Sequence, residues 1–202
     1  MVDVEGTPHE MGLSHGKQMA SRISLTVATL RQTYPLSYDP CWLAFEPTVR
    51  YCREACPELV EEMEGIAEGA GLPFKDIWMI NAHLDLAIWE QQTPPIENSP
   101  PELPGCSSHA FAGEDGGVCL GWNGDDLSAW MDCCVVLRGR PAGARPFVCV
   151  CWAGTVGRPG TSHTVAVGAN STPANGWRAD GLLYLLWREY TCQPNPSITP
   201  CV

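Results

Sequence analysis

A proline-rich segment divides this chain of 202 residues into two parts with different hydrophobic periodicity. Residues 93–104 hold five prolines, at positions 94, 95, 100, 101 and 104. Proline lacks a backbone N–H and fits neither the interior of a helix nor the middle of a sheet. No regular element can therefore run through this segment. Because helical patterns precede it and strand patterns follow it, the sequence predicts an α+β fold.

The part before the prolines has apolar residues at helical spacing. Thr7, followed by Pro8 and by Glu10, is typical of a capped helix start, and this helix is expected to run to about Leu30. Further helices are predicted at residues 48–54, 57–70 and 73–89. We expect residues 1–105 to form a helical segment that ends in the proline-rich linker.

The part after the prolines is dominated by short β-rich runs separated by Gly, Asp and Pro. Strands are predicted at residues 107–112, 118–122, 133–138, 147–152 and 164–167, with hairpin turns at 114–117 and 140–143. One last helix is predicted at 181–190, followed by an irregular tail. Residues 106–202 are thus expected to be the β-rich part of one composite domain.

Composition and charge exclude several classes of protein. The net charge of −11 argues against nucleic-acid binding, which needs a basic surface. No apolar run is long enough for a membrane span, and the N-terminus does not resemble a secretory signal, so the sequence favours a cytoplasmic location without fixing the compartment. The eleven cysteines have an odd count and irregular spacing. We expect most of them to be small buried apolar residues rather than disulfides or metal ligands.

The dipeptide Gly105-Cys106 is the strongest candidate for chemistry. It stands between the exposed linker and a predicted strand that begins with Ser107. Cleavage before Cys106 would place a thiol and a free α-amine on one residue, which supplies a nucleophile together with its own base. The alternative is that Cys106 is a buried structural cysteine. The sequence has no GxSxG elbow and no phosphate-binding glycine loop, so serine-triad and nucleotide chemistry are not indicated.

Four segments, in order, resemble the acyl-coenzyme A:6-aminopenicillanic acid acyltransferase family, the relatives of isopenicillin N acyltransferase. They are GTPHEMG at 6–12 with His15-Gly16; EEMEGIAEGA at 61–70 with Asn81; GCSS at 105–108 with Asn123-Gly124-Asp125; and GTVG at 154–157 with VAV at 165–167 and Asn170. Each motif is short, but their order and rough spacing match the family over residues 5–170.

The resemblance implies an N-terminal-nucleophile fold, an αββα sandwich, and self-cleavage between Gly105 and Cys106. It implies that Cys106 is the nucleophile, that Asp125 holds its α-amine, and that Asn170 contributes to the oxyanion hole, with Asn123 and Ser107 in support. The expected substrate is a small amide, N-acyl amino acid or peptide-like conjugate, with acyl-coenzyme A as an alternative acyl donor. No metal or bound cofactor is implied, and the expected partners are the two fragments of the cleaved chain.

Some positions depart from the family pattern, and some assignments stay open. His83 and Asp85 replace the Arg and Glu of the family's N-x-R-x-E, and the family's chain extends past position 202, so we expect a fold that is incomplete at the C-terminus. A second hypothesis is therefore a catalytically inactive, shortened relative with a binding or regulatory role. Asp125 could instead belong to an ordinary turn, and Asn170 could cap one.

Overall fold

The computed structural model describes most of the chain before residue 157 and short pieces after it: residues 1–92, 105–114, 116–125, 128–156, 160–162, 166–168, 170, 181 and 183. Its helices are α1 (Pro8–Thr33), α2 (Tyr38–Ala44), α3 (Glu46–Ala55), α4 (Pro57–Ala70), α5 (Phe74–Asn81) and α6 (His83–Gln92), with a short 3₁₀ helix at Ser128–Cys133. Its strands are β1 (Val2–Gly6), β2 (Cys106–Ala112), β3 (Val118–Gly124), β4 (Cys134–Pro141), β5 (Phe147–Trp152), β6 (Gly160–Ser162) and β7 (Ala166–Val167).

Two sheets are formed by the described strands. Five strands pair in the order β1-β4-β5-β6-β7, with β1 parallel to β4 and every other pair antiparallel. Strands β2 and β3 form a separate antiparallel hairpin. The N-terminal strand β1 thus joins a sheet whose other strands follow the proline-rich segment. The α+β class predicted from the sequence is confirmed.

Most of the predicted elements are present, with several corrections, and α2 and β6 were not predicted. Helix α4 has the predicted bounds, and hairpin turns connect β2 to β3 and β4 to β5. The turn predicted at 140–143 is displaced, because β4 continues to Pro141 and the turn begins at Ala142. The single helix predicted at 73–89 is wrong, because the backbone at Ala82 (φ −98°, ψ 11°) ends α5 and α6 begins at His83. Cys133 closes the 3₁₀ helix, so β4 starts one residue later than predicted. The predicted helix at 181–190 lies almost wholly outside the described residues.

The start of α1 has the predicted capping box. The Thr7 Oγ1 atom accepts a hydrogen bond from the Glu10 backbone N–H at 3.3 Å, and the Thr7 N–H donates to the Glu10 carboxylate at 2.8 Å. The Thr7 hydroxyl also donates to that carboxylate at 2.9 Å. The Thr7 hydroxyl and the Glu10 carboxylate thus accept hydrogen bonds from backbone N–H groups that the first helical turn leaves unpaired. The hydrogen bond from the Thr7 backbone, followed by that from its hydroxyl, lowers the pKa of Glu10 below its usual value.

This capping box predicts a pH-dependent contribution to stability. Because folding lowers the pKa of Glu10, the contribution is present above the ordinary carboxyl pKa and is lost as the pH falls through the lowered value. Glu10→Gln keeps an acceptor for the Thr7 N–H but removes the titration. We therefore expect urea midpoints measured from pH 7 to pH 3 to fall more for the wild type than for Glu10→Gln. Equal slopes for the two proteins would contradict a role for the ionised carboxylate.

Helices α1 and α4 approach each other so closely that glycine is required at the contact. A Cβ atom added at Gly12 would lie 2.0 Å from the Glu62 carbonyl oxygen, and one at Gly65 would lie 2.3 Å from the His9 carbonyl oxygen. Both obstacles are backbone atoms, which cannot turn aside as a side chain can. This contact fixes α4 against α1.

The five-stranded sheet has one buried face and one open face. Val135 and Leu137 of β4 and Cys149 and Cys151 of β5 are buried in the core that also contains side chains of α1. On the other face of β5, Val148 and Val150 are 39% and 51% exposed. Part of that face carries surface ion pairs between β1 and β4, such as Arg138 with Asp3 at 2.8 Å. Within the described part of the chain, no helix has the length and apolar character needed to cross a membrane.

Candidate active site

The β2–β3 hairpin brings both predicted cleavage residues and their neighbours to one end of a ladder. Cys106 is the first residue of β2 and lies opposite Gly124, the last residue of β3. One further hydrogen bond extends the ladder, because the Asp125 backbone N–H donates to the Gly105 carbonyl oxygen at 2.9 Å. The carbonyl of the predicted scissile bond therefore already accepts a hydrogen bond from the backbone.

The ladder determines which side chains share a face with Cys106. The hydrogen bonds from the Asp125 N–H to Gly105 and from the Gly113 N–H to Gly117 lie at the two ends of the hairpin. Between these ends, residue pairs that are hydrogen-bonded to each other alternate with pairs that are not. Cys106 and Ser108 thus belong to pairs without mutual hydrogen bonds, in which opposing side chains are closest. Alternation along β2 and β3 places Cys106, Ser108 and Trp122 on one face, and Ser107 and Asn123 on the other.

Asn170 contacts the Cys106 face through Ser108. The Ser108 hydroxyl donates to the Asn170 Oδ1 atom at 2.7 Å. Next to this bond, a Cβ atom added at Gly168 would lie 3.3 Å from the Ser108 hydroxyl oxygen and 3.2 Å from Trp122 Cδ1. The segment after β7 therefore packs against the end of the hairpin where Cys106 begins β2. Asn170 itself is exposed.

Asp125 lies beside Gly105, on the side of the hairpin that carries Asn123. The Asn123 Nδ2 group donates to Asp125 Oδ1 at 2.5 Å. The second carboxylate oxygen, Oδ2, is 3.6 Å from the position that a Cβ atom on Gly105 would occupy. The Asp125 carboxylate thus lies next to the Gly105–Cys106 bond, and the Asn123 side chain holds this carboxylate in place. Ser107 is exposed and pairs with Asn123 across the ladder.

Cys106 and Cys134 are half-buried, and each is the first residue of a strand, whereas the core cysteines at positions 41, 52, 56, 133, 149 and 151 are buried. The Cys134 thiol donates to the Trp130 carbonyl oxygen at 3.6 Å. Burial, together with the charges of Asp85 and Glu90, raises the pKa of the Cys41 thiol, which keeps it protonated. Cys119 is exposed but lies on the opposite face of the hairpin from Cys106. No group of three or more side chains that could hold a metal occurs among the described residues.

Histidines at positions 15, 83 and 109 lie in the core, against Trp152 and on the hairpin. His15 is fully buried, and its Nε2 atom accepts a hydrogen bond from the Gly154 N–H at 3.3 Å. His83 lies over Trp152, with ring centroids 4.3 Å apart, and its Nδ1 atom is 3.0 Å from the Ile80 carbonyl oxygen. His109 stacks with Phe111 on the face opposite Cys106. His163 lies outside the described residues.

Two features of this site were missed in the sequence. Ser108, rather than the supporting residue Ser107, contacts Asn170, although strict alternation from Cys106 along β2 could have shown that only Ser108 shares its face. The position of Trp122 beside Cys106 depends on the register of the hairpin. The sequence does not determine the length of the turn, so it does not determine this register.

Comparison of the chain with models of known protein families gives no match. The likeness noted above therefore rests on the four sequence segments alone.

Proposed function

We propose that this chain is a cysteine N-terminal-nucleophile amidohydrolase or acyltransferase that matures by cutting itself between Gly105 and Cys106. The observation that carries the proposal is the hydrogen bond from the Asp125 N–H to the Gly105 carbonyl oxygen. It polarises the carbonyl that Cys106 must attack, and the Asp125 carboxylate lies next to the same peptide bond. The order of the four resembling segments supports the same assignment.

Maturation requires only the chain and water. The Cys106 sulfur bonds to the Gly105 carbonyl carbon, the Gly105–Cys106 C–N bond breaks, and the Cys106 nitrogen takes the thiol proton. The result is a thioester between Gly105 and the Cys106 side chain. Water then hydrolyses this ester, giving a carboxylate on Gly105 and a free thiol and α-amine on Cys106. The two fragments, residues 1–105 and 106–202, remain partners in one fold.

In the mature protein, the same thiol attacks the carbonyl of a small amide or of an acyl-coenzyme A. The Cys106 α-amine, whose unperturbed pKa is about 7.7–8, accepts the thiol proton and returns it to the leaving group, which is the amine of an amide or the thiolate of coenzyme A. Asp125 stabilises the protonated amine. Water, or a second amine, then releases the acyl group from the thioester. No metal or bound cofactor takes part in these steps.

Asn170 is assigned to the oxyanion hole. Its Oδ1 atom accepts from Ser108, which fixes the orientation of the amide, since the Nδ2 donor then points away from the Ser108 hydroxyl. A donor of this type typically contributes about 3–4 kcal/mol to transition-state stabilisation. Ser108 thus acts as a positioning residue for Asn170.

The proposed fold is the αββα sandwich of this superfamily. Its support is the unequal covering of the five-stranded sheet, in which one face packs on helices while Val148 and Val150 remain exposed on the other. An open sheet face with exposed apolar residues is what a middle layer of such a sandwich would turn toward a second sheet.

The test of the proposed function is the intact mass of the purified protein under denaturing, reducing conditions. We expect two fragments split between Gly105 and Cys106 in the wild type, a single uncut chain for Cys106→Ala, and slower cleavage for Cys106→Ser, whose hydroxyl is the weaker nucleophile. Cys119→Ala, which removes the exposed thiol on the opposite face, should cleave like the wild type. A single uncut wild-type chain would overturn the proposal and favour an inactive relative with a binding role.

A further inference from the structure

The face of the hairpin that carries Cys106 becomes apolar with distance from the thiol. Beyond Ser108 the cross-strand pairs on this face are Ala110 with Leu120 and Ala112 with Val118. Each pair sets a small side chain on β2 against a larger apolar one on β3. Small side chains therefore line β2 on this face, and larger apolar side chains form a wall along β3.

Trp122 forms the part of this wall nearest the thiol. Its Cη2 and Cζ2 atoms lie 3.0 and 3.1 Å from the position of a Cβ atom on Gly124, the residue directly opposite Cys106. The six-membered ring of the indole thus covers the space that a side chain at position 124 would otherwise fill. The Trp122 side chain is 39% exposed, so part of its ring is available for contact.

We infer that Trp122 selects the acyl group of the substrate, and that the substrates are amides or thioesters whose acyl group is an apolar chain. The inference rests on the proposed function. In the thioester intermediate the acyl carbon is bonded to the Cys106 sulfur, so its substituent must begin on the face that Cys106 occupies. An acyl chain that runs along the strand from Cys106 meets Trp122 after two residues, about 7 Å, and reaches Leu120 after four residues, about 13 Å.

Polar and apolar contacts are separated along this path. The Ser108–Asn170 hydrogen bond lies close to the start of β2, where the carbonyl of the substrate would be held. Leu120 and Val118 follow farther along, with no charged side chain among the cross-strand pairs on this face. An aliphatic acyl chain fits this sequence of contacts, whereas a charged acyl group would lose its hydration against Trp122 and Leu120 without an ionic partner on that face.

The opposite face of the hairpin offers a matched control. Phe111 is an exposed aromatic residue of β2, 64% exposed, that stacks with His109. Alternation places it on the other side of the sheet from Cys106. Phe111→Ala and Trp122→Ala therefore each remove one aromatic ring from the same hairpin, but only Trp122 can touch an acyl group bonded to Cys106.

The experiment compares acylation of Cys106 by p-nitrophenyl acetate and p-nitrophenyl hexanoate. The thiolate sulfur bonds to the acyl carbon and p-nitrophenolate leaves, so the burst of absorbance gives the rate, and the mass of the proteolytic peptide that contains Cys106 identifies the site. We expect the wild type to react roughly tenfold faster with hexanoate than with acetate. Trp122→Ala should abolish that preference while keeping the acetate rate, Trp122→Phe should keep most of it, and Phe111→Ala should leave it unchanged.

The outcomes distinguish a failure of the proposed function from a failure of the proposed role of Trp122. Absence of acylation at Cys106 in the wild type, or equal acylation after Cys106→Ala, would overturn the proposed function and this inference with it. Selective acylation of Cys106 with no preference for hexanoate would overturn the inference alone. So would a preference that Phe111→Ala reduces as much as Trp122→Ala does.

Discussion

Gly12→Ala is expected to destabilise the protein by about 2 kcal/mol or more, although it adds only one methyl group. The added Cβ atom would lie 2.0 Å from the Glu62 carbonyl oxygen and 2.9 Å from the Ile66 backbone nitrogen, so α4 must move away from α1. Alanine is favoured over glycine in a helix by about 1 kcal/mol, which offsets part of the loss. The net effect is a large share of the roughly 5–15 kcal/mol that stabilises a typical domain.

Gly121→Ala is the matched control for this substitution. Gly121 lies in β3, and the nearest atom to an added Cβ is the His109 carbonyl oxygen at 3.9 Å, an ordinary contact. Its replacement should change stability by less than about 0.5 kcal/mol. Urea denaturation of the wild type and both variants makes the comparison. A Gly12→Ala variant as stable as Gly121→Ala would mean that α1 and α4 are not in backbone contact.

Local chemistry explains why much of the helical part could be predicted from the sequence. The start of α1 depends on Thr7, Pro8 and Glu10, which are neighbours, and α4 ends at Gly71, whose φ of +66° suits glycine. Such signals act within one or two turns and do not need the rest of the fold. The break at Ala82 has no such signal, since no glycine or proline marks it. Asn81, the residue before the break, is hydrogen-bonded to a loop that is distant in sequence.

The candidate site could be predicted only in part, because several of its contacts join residues that are far apart in the sequence. Cys106 and the turn after β2 are marked by local sequence, and the hairpin has the expected antiparallel form. The bond from Ser108 to Asn170 joins residues 62 positions apart, and the contact between Trp122 and Gly168 depends on the same long-range packing. No periodicity encodes such contacts. The face on which each hairpin residue lies follows from register, and a slip of one residue would exchange the two faces.

Asn81→Leu is expected to destabilise the protein by about 3 kcal/mol, with little change in side-chain volume. Asn81 is fully buried at the end of α5. Its Nδ2 group donates to the Gly154 carbonyl oxygen at 2.9 Å, and its Oδ1 atom accepts from the Val156 N–H at 2.8 Å. Leucine can make neither bond, so two backbone groups of a buried loop would lose the partner that satisfies them.

Thr33→Val serves as the control, because it also removes a bond from a side chain to a carbonyl. The Thr33 hydroxyl donates to the Thr29 carbonyl oxygen at 2.9 Å within the same helix, so the loss leaves no distant loop without support, and stability should change by less than about 0.5 kcal/mol. Hydrogen exchange at the Val156 amide is the decisive measurement. It should accelerate strongly in Asn81→Leu and stay slow in Thr33→Val. An unchanged exchange rate at Val156 would show that α5 does not hold this loop.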